Sequence, residues 1–326
     1  MPKRSLRIGF LGTPDFAASC LAHLLDSSHQ VVGVVTAPDR PAGRGHRLRA
    51  SAVKNLAVAH NLPVMQPDKL RDPQFLAQWD AWQVDVGVVV AFRMMPELLW
   101  SRPPLGTINL HASLLPQLRG AAPIQRAIMA GLKETGVTTF RLKAQIDTGD
   151  LLGQSAVPIG PDTHAGMLHD ALLEAGKALL IETLDGLANG DIVPIPQEAL
   201  LPQNKPLLEA PKLFKNDTVV DWAQPSVKVH NHIRGLHPFP GAWSNIRFAD
   251  GSASALKLHV ARRVTWPGES DAAPGMAMAG EQGDLVVKCE DGACAIESLT
   301  PAGKKAMSGG AWLRGLATEL LPLRLG

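Results

Sequence analysis

Residues 85–91 read DVGVVVA: four valines follow Asp85, interrupted only by Gly87. A strand that is apolar on both faces belongs inside a sheet covered on both sides, the environment of parallel strands. Two earlier stretches read the same way, Arg7-Ile8-Gly9-Phe10-Leu11-Gly12 and Val31-Val32-Gly33-Val34-Val35-Thr36. Helical patterns separate them. Thr13 is expected to cap a helix whose first residue is Pro14, and Asp72-Pro73 to start another by the same device. The alternation predicts an α/β fold built on a Rossmann-like parallel sheet. Ligands of such sheets bind at the carboxyl ends of the strands.

Further along, the periodicity predicts a long helix from about Thr163 to Leu187 that closes this domain. Pro194-Ile195-Pro196 and the stretch from Pro202 to Pro211 then form a proline-rich connector. Beyond it, one helical stretch (Val227 to Leu236) precedes short alternating strands with Asp250-Gly251 and Asp291-Gly292 turns. That pattern predicts a small β-barrel. The expected organisation is a first domain at 1–190, a linker at 191–210 and a second domain at 211–326.

At 326 residues the chain exceeds the usual size of one domain, and 45% hydrophobic with 19% charged residues describes a soluble globular protein. No apolar run approaches the roughly 20 residues that span a bilayer. The opening MPKRSLRIGFLGTPDF is basic and then apolar, but Thr-Pro-Asp ends the apolar part too early for a signal peptide. A first buried strand in a cytoplasmic protein is expected. The three cysteines agree: Cys20 falls on an apolar helix face, and Cys289 and Cys294 flank a hairpin turn, where reduced thiols rather than a disulfide are expected. Two cysteines without a second pair make no zinc site, so no metal is expected.

The chemistry concentrates in residues 106–150, where GTINLHASLLPQLRGAAPIQRAIMAG leads to ETGVTTFRLKAQIDTGD. Asn109 and His111 lie two apart on an extended strand end, so their side chains share a face. An Asn amide donates to a developing oxyanion, and an imidazole titrating near 6.5 takes or gives a proton. The alternative is a polar pair that satisfies a buried strand end. Asp147 lies in Ile146-Asp147-Thr148-Gly149-Asp150; an aspartic protease would need a second Asp-Thr-Gly loop, which is absent. The stretch reads either as a hairpin tip or as a carboxylate that orients His111 or a water. Amide, imidazole and carboxylate together suit direct acyl transfer to an amine.

Gly9 and Gly12 before a helix resemble a dinucleotide fingerprint, but the third glycine is missing and Asp15 at the helix start would repel a pyrophosphate. The loop APDRPAGRGHRLRAS carries Arg40, Arg44, Arg47 and Arg49 against Asp39 alone. It reads as a solvated loop or as one that grips phosphates, onto which arginines fork. From Pro225 to Arg263 there are six Lys or Arg and four His against one Asp, although the whole chain is only +2. Concentrated basicity favours one nucleic-acid-facing surface on an otherwise neutral enzyme. Met94 and Met95 in AFRMMP would line the ligand end of the sheet or simply fill the core.

Taken together, GTPDFA, APDRPAGRG, NLHASLLPQLRGAAPIQ, ETGVTTF, IDTGD and APKLF resemble the methionyl-tRNA formyltransferases, a family of folate-dependent formyltransferases, over essentially the whole chain. The resemblance implies a formyltransferase domain followed by an oligonucleotide-binding (OB)-like barrel. It also implies 10-formyltetrahydrofolate as donor and the amino group of methionyl initiator tRNA as acceptor, in translation initiation. Asn109, His111 and Asp147 match the family's catalytic residues, and Ser113, Leu114, Leu115 and Pro116 its folate-binding signature. The Arg40–Arg49 loop matches the one that contacts the acceptor stem. Two departures stand out. Many members have Ala-Tyr-Gly in place of Ala91-Phe92-Arg93, and His-Gly-Ser in place of His111-Ala112-Ser113. Arg93-Met94-Met95 is more similar to the folate-contacting stretch of the glycinamide ribonucleotide formyltransferases. A monomer is expected. The alternatives are a formyltransferase for a nucleotide sugar or glycinamide ribonucleotide, a formyl-folate hydrolase, and a non-enzymatic RNA-binding protein.

Overall fold

The computed structural model describes residues 4–42, 47–201, 206–317 and 320–326, with the backbone alone for Ala42 and Arg47. Arg44 lies outside the described residues. The chain divides into two compact units. One comprises Met1–Gly120, Glu134–Pro158 and Asp170–Glu209; the other comprises Ala121–Lys133, Ile159–His169 and Ala210–Gly326.

The first unit is built on strands β1 (Arg7–Gly12), β2 (Gln30–Val35), β3 (Arg40–Ala42), β4 (Arg47–Arg49), β5 (Val64–Met65), β6 (Val86–Val90), β7 (Thr107–His111), β8 (Glu134–Arg141) and β9 (Leu151–Pro158). Seven of them form one sheet in the order β5-β2-β1-β6-β7-β8-β9, and β3 and β4 pair separately. The strands from β5 to β7 are parallel, whereas β8 runs antiparallel to both β7 and β9. The sheet is therefore mixed at one edge. Strand β6, the valine run, is buried at every position, while β9 at the edge is half exposed. Central strands need cover on both faces and an antiparallel edge strand does not.

Helices α1 (Asp15–Leu25), α2 (Ala52–Ala59), α3 (Pro73–Ala81) and α4 (Glu97–Trp100) follow strands, α1 and α3 at the two proline signals. Asp72 caps α3 by accepting from the amides of Gln74 (2.8 Å) and Phe75 (3.3 Å), with Pro73 in the first turn. Thr13 does not cap α1. Pro14 stays extended (ψ 178°) and takes the cap position itself, so the helix begins at Asp15 and Thr13 is left to the loop at the end of β1. Gly9 and Gly33 are smooth places on the sheet where the indoles of Trp79 and Trp82 lie; a Cβ at either would overlap the ring. That contact accounts for a glycine in β1 without any nucleotide.

The helix expected over 163–187 is α6 (Ala165–Asn189), following α5 (Pro123–Met129). Its residues in the first unit pack on the sheet: the hydroxyls of Thr183 and Thr139 on β8 are 2.7 Å apart, and Leu172, Leu179, Leu180 and Leu184 are buried.

The second unit holds α7 (Ser226–Leu236), strands β10 (Ala242–Arg247), β11 (Ala253–Val264), β12 (Met276–Ala279), β13 (Leu285–Lys288), β14 (Ala293–Pro301), β15 (Met307–Ser308) and β16 (Leu323–Leu325), and the short α8 (Gly309–Arg314). Pairing runs β11-β10-β16-β12-β13-β14, and β14 returns to β11, closing a six-stranded antiparallel barrel with β15 added to β14. Closure removes the sheet edges that otherwise invite aggregation. Asp250-Gly251 turns β10 into β11, with Gly251 at φ +82°, and Asp291-Gly292 turns β13 into β14. The core gathers Val229, Ile233 and Leu236 of α7 with Leu256, Leu285, Ile296 and Trp222. Cys289 and Cys294 are reduced and buried there, their sulfurs 3.9 Å apart. Among the described residues no helix is long and apolar enough to cross a membrane.

Candidate active site

Strand β7 ends at His111, and the two-residue alternation turns Asn109 and His111 to one side. Asn109 is half-buried between Val89 of β6 and Phe140 of β8, and its side chain makes no hydrogen bond with a described residue. His111 is buried. Its Nε2 lies 3.0 Å from the Leu118 carbonyl, which can only accept, so Nε2 carries a proton. Nδ1 faces Asp147 Oδ2 at 3.9 Å, too long for a hydrogen bond and close enough for charge attraction. The same Oδ2 accepts the Gly120 amide at 2.9 Å. Only as an imidazolium does His111 donate from both nitrogens, to Leu118 and towards Asp147.

The backbone around this trio is strained. Leu118 (φ +59°) and Asp147 (φ +52°) are in the left-handed region, as is Ala91 (φ +46°) at the end of β6. Such residues persist only where their surroundings hold them, and they gather at functional sites. Gly149 brings the Asp147 loop against β8: a Cβ there would overlap the Arg141 carbonyl.

The turn Ser113-Leu114-Leu115-Pro116 follows β7 and contains a cis Leu115–Pro116 bond. Ser113, Leu115 and Pro116 are buried, and Leu114 is half-buried. Ser113 Oγ donates to the Gln117 carbonyl at 2.6 Å. Thr138 on β8 is the hub: its hydroxyl donates to the Ser113 carbonyl (2.6 Å) and accepts from the Leu115 amide (3.1 Å) and Gln154 Nε2 (3.0 Å). The turn is thus fixed by the Ser113 hydroxyl and by Thr138 on the neighbouring strand.

Arg40 and Arg49 lie elsewhere on the same end of the sheet. Two adjoining cavities of about 360 and 320 Å³ open beside the carboxyl ends of β1 and β2, and Thr13, Arg40, Arg49 and Ser51 line both. Phe92 and Arg93, after β6, line the second. Neither cavity reaches Asn109, His111 or Asp147. Asp39 does not cancel the positive charge: hydrogen bonds from Lys54 (2.6 Å) and Gln66 (2.8 Å) occupy it and hold its carboxyl below the usual range. Arg93 donates to the carbonyls of Asp68 (3.0 Å) and Pro67, and its guanidinium lies 5.8 Å from the Phe92 ring. Met94 is 74% exposed, whereas Met95 is half-buried against the core cluster that includes Trp79 and Phe75. Of the methionine pair, one packs on the core and one faces solvent.

Residues 6–184 match the formyl transferase family, and residues 212–317 match the formyl transferase C-terminal domain. The chain belongs to the formyl transferase family. Over 315 residues it is 44% identical to a methionyl-tRNA formyltransferase of Bacteroides fragilis, covering 97% of this chain and 96% of that one. Among solved structures, the sugar 3N-formyl transferase WlaRD shares the fold with a TM-score of 0.63 at 17% identity, covering 92% of this chain and 99% of that one. HypX of Aquifex aeolicus, solved with tetrahydrofolic acid, has a TM-score of 0.61 at 19% identity; 95% of this chain is covered, and it spans 47% of HypX.

In this formyl transferase three polar residues support the site without having been singled out in the sequence. Thr138 organises the turn, and Arg119 and Gln197 lie behind Asp147. Thr138 and Arg119 fall in stretches that carry the family resemblance, so they could have been flagged. Gln197 falls in the proline-rich connector, where an uncharged amide gives no signal. The described parts of that connector up to Glu209 belong to the first unit, tied by a Leu151–Ile195 bridge and by the Leu118 amide to the Leu208 carbonyl at 2.7 Å.

Proposed function

We propose that this enzyme moves the formyl group of 10-formyltetrahydrofolate to the free amino group of methionyl initiator tRNA, by direct attack and without a covalent enzyme intermediate. The observation that carries this reading is the trio at the end of β7: a spare Asn109 amide, a His111 with one nitrogen committed, and an Asp147 carboxylate 3.9 Å from the other. The name shared by relatives that match nearly the whole chain supports the choice of acceptor.

The neutral amine attacks the formyl carbon, and the carbonyl electrons move to oxygen. Asn109 donates to that oxyanion, and so does His111 from Nδ1 when its ring is doubly protonated, with a stabilisation of roughly 3 kcal/mol per donor. The amine proton passes to Asp147 or to a water it holds. The bond to the folate nitrogen then breaks, the oxyanion collapses to the new amide, and the leaving nitrogen takes up a proton. Free α-amines titrate near 8 and an adjacent ester lowers that, so a strong base is unnecessary.

Ser113 to Pro116 and Arg93 to Met95 would hold the folate. Residues 92–95 make no backbone–backbone hydrogen bond among the described residues, which leaves amide and carbonyl groups for the donors and acceptors of a pterin ring. Arg40 and Arg49, with Arg44 and Arg47 between them, would grip acceptor-stem phosphates, and the barrel unit would carry the rest of the tRNA. The domain roles follow: catalysis in 1–190, a connector at 191–210, and tRNA binding in 211–326. The enzyme would act as a monomer in the cytoplasm.

One assay tests the reading: 10-formyltetrahydrofolate is supplied with methionyl-tRNA, a sugar amine, glycinamide ribonucleotide or no acceptor. Turnover with the tRNA alone is expected. Preference for either small amine would reassign the acceptor, and formate release without an acceptor would make the protein a hydrolase.

A further inference from the structure

We infer that Gln197 is a positioning residue for the reaction, a clamp that fixes the Asp147 loop against the turn carrying Leu118 and Gly120. The inference rests on the proposed role of the His111–Asp147 pair. Gln197 is fully buried in a 3₁₀ turn (Gln197–Leu200) of the connector. Its Oε1 accepts from Arg119 Nε at 3.0 Å and Nη2 at 2.6 Å. Its Nε2 donates to the carbonyls of Asp147 at 2.9 Å and Gly149 at 2.8 Å. The orientation is forced by chemistry, since a guanidinium only donates and a carbonyl only accepts.

The four bonds connect both segments that set the catalytic distance. On one side is Asp147, held in a left-handed conformation that its own sequence would seldom adopt. On the other is Arg119, between Leu118, whose carbonyl engages His111, and Gly120, whose amide engages Asp147. Pulling Arg119 and the Asp147 backbone onto one amide holds the carboxylate opposite Nδ1. A carboxylate at position 197 would keep the arginine but face two carbonyl oxygens with no proton to offer. Leu151 and Ile195 bond reciprocally at 2.8 and 2.9 Å just before Gln197, anchoring the connector without it. The clamp therefore tunes the site rather than holding the fold.

Gln197→Glu and Gln197→Ala, in the full chain, are each expected to lower kcat roughly 10- to 100-fold, the usual cost of removing an outer partner or shifting a reacting group by about 1 Å. KM for folate and for tRNA should stay within about threefold. In an Asp147→Asn background, Gln197→Glu should cost almost nothing more, because the clamp acts through Asp147. A folded Gln197→Glu enzyme with unchanged kcat overturns the inference, as does a loss that falls in KM or one that adds fully to Asp147→Asn. If Gln197→Ala does not fold, Gln197→Glu alone decides. Should Asp147→Asn itself leave kcat unchanged, the reading of the active site fails, and that outcome is distinct from a failure of the clamp alone.

Discussion

Replacing Asp147 by Asn removes one negative charge and little else. Asn keeps an oxygen for the Gly120 amide, now 2.9 Å from Oδ2, and it tolerates the left-handed backbone at φ +52° better than most residues. The carboxylate lies 3.9 Å from His111 Nδ1, and the side chains are only 8% and 12% exposed. When the ring is the imidazolium, two unit charges at that distance attract by about 1 kcal/mol in water and by about 4 kcal/mol at an effective dielectric of about 20. Burial this deep favours the upper end. Since 1.4 kcal/mol is a factor of ten, kcat should fall roughly 100- to 1000-fold, within the span observed for general acid–base groups. The assay is the initial rate of formyl-methionyl-tRNA formation with both substrates saturating, alongside thermal unfolding. The unfolding transition checks that any loss of rate is not a loss of the fold, since Asn keeps the hydrogen bond from the Gly120 amide. A folded Asp147→Asn enzyme whose kcat is within threefold of the parent would refute the charge argument and leave Asp147 a structural cap on Gly120.

Asn109→Ala should lower kcat about a hundredfold with little change in the folate KM, since the lost donor acts on the oxyanion; a purely KM effect would move Asn109 into substrate binding. Arg49→Ala should raise KM for tRNA and reduce the slope of log affinity against log salt by about one phosphate contact, leaving the folate KM alone. Thr138→Val strands the Leu115 amide and the Ser113 carbonyl in a buried turn, so a denaturant titration should show a loss of about 2–4 kcal/mol. In the barrel unit, His230, His232, His237 and His259 all have pKa values pushed below the ordinary imidazole range, in each case first by burial. Neutral histidines are thus preferred in the fold. Their stabilisation is complete above about pH 6.5 and is lost as pH falls towards the depressed values, while the unfolded chain takes up protons. Amide exchange between pH 7 and 5.5 should loosen α7 and the barrel more than the valine strands, and His232→Asn should lessen the effect; equal loosening of both units would contradict it.

Much of this molecule was legible in the chain because local chemistry decides it. A valine run suits a central strand, Asp72-Pro73 suits a helix start, and an Asp-Gly pair between alternating strands suits a hairpin turn. Asn109 and His111 could be put on one face because a strand alternates with period two. The edge of the sheet was less readable. The reversal of β8 between β7 and β9 depends on which neighbour the chain finds, and a short apolar strand looks the same in either direction. Thr13 also misled, since a hydroxyl before Pro-Asp suits a cap until the proline takes the extended conformation itself.

Local patterns in the chain were enough for the two kinds of unit, the Asn109–His111 pair and the arginine loop, because each is a run of neighbouring residues with its own physical signature. Distances came from the folded chain. It set His111 at 3.9 Å from a carboxylate 36 positions later, turned the folate-type turn inward on Thr138, and separated the arginine cavities from the catalytic trio. It also carried a neutral glutamine back from the connector to bind the Asp147 loop. The reason is that hydrogen bonds and buried contacts between distant segments depend on the path of the whole chain, and a single buried amide announces nothing about the partners it will find.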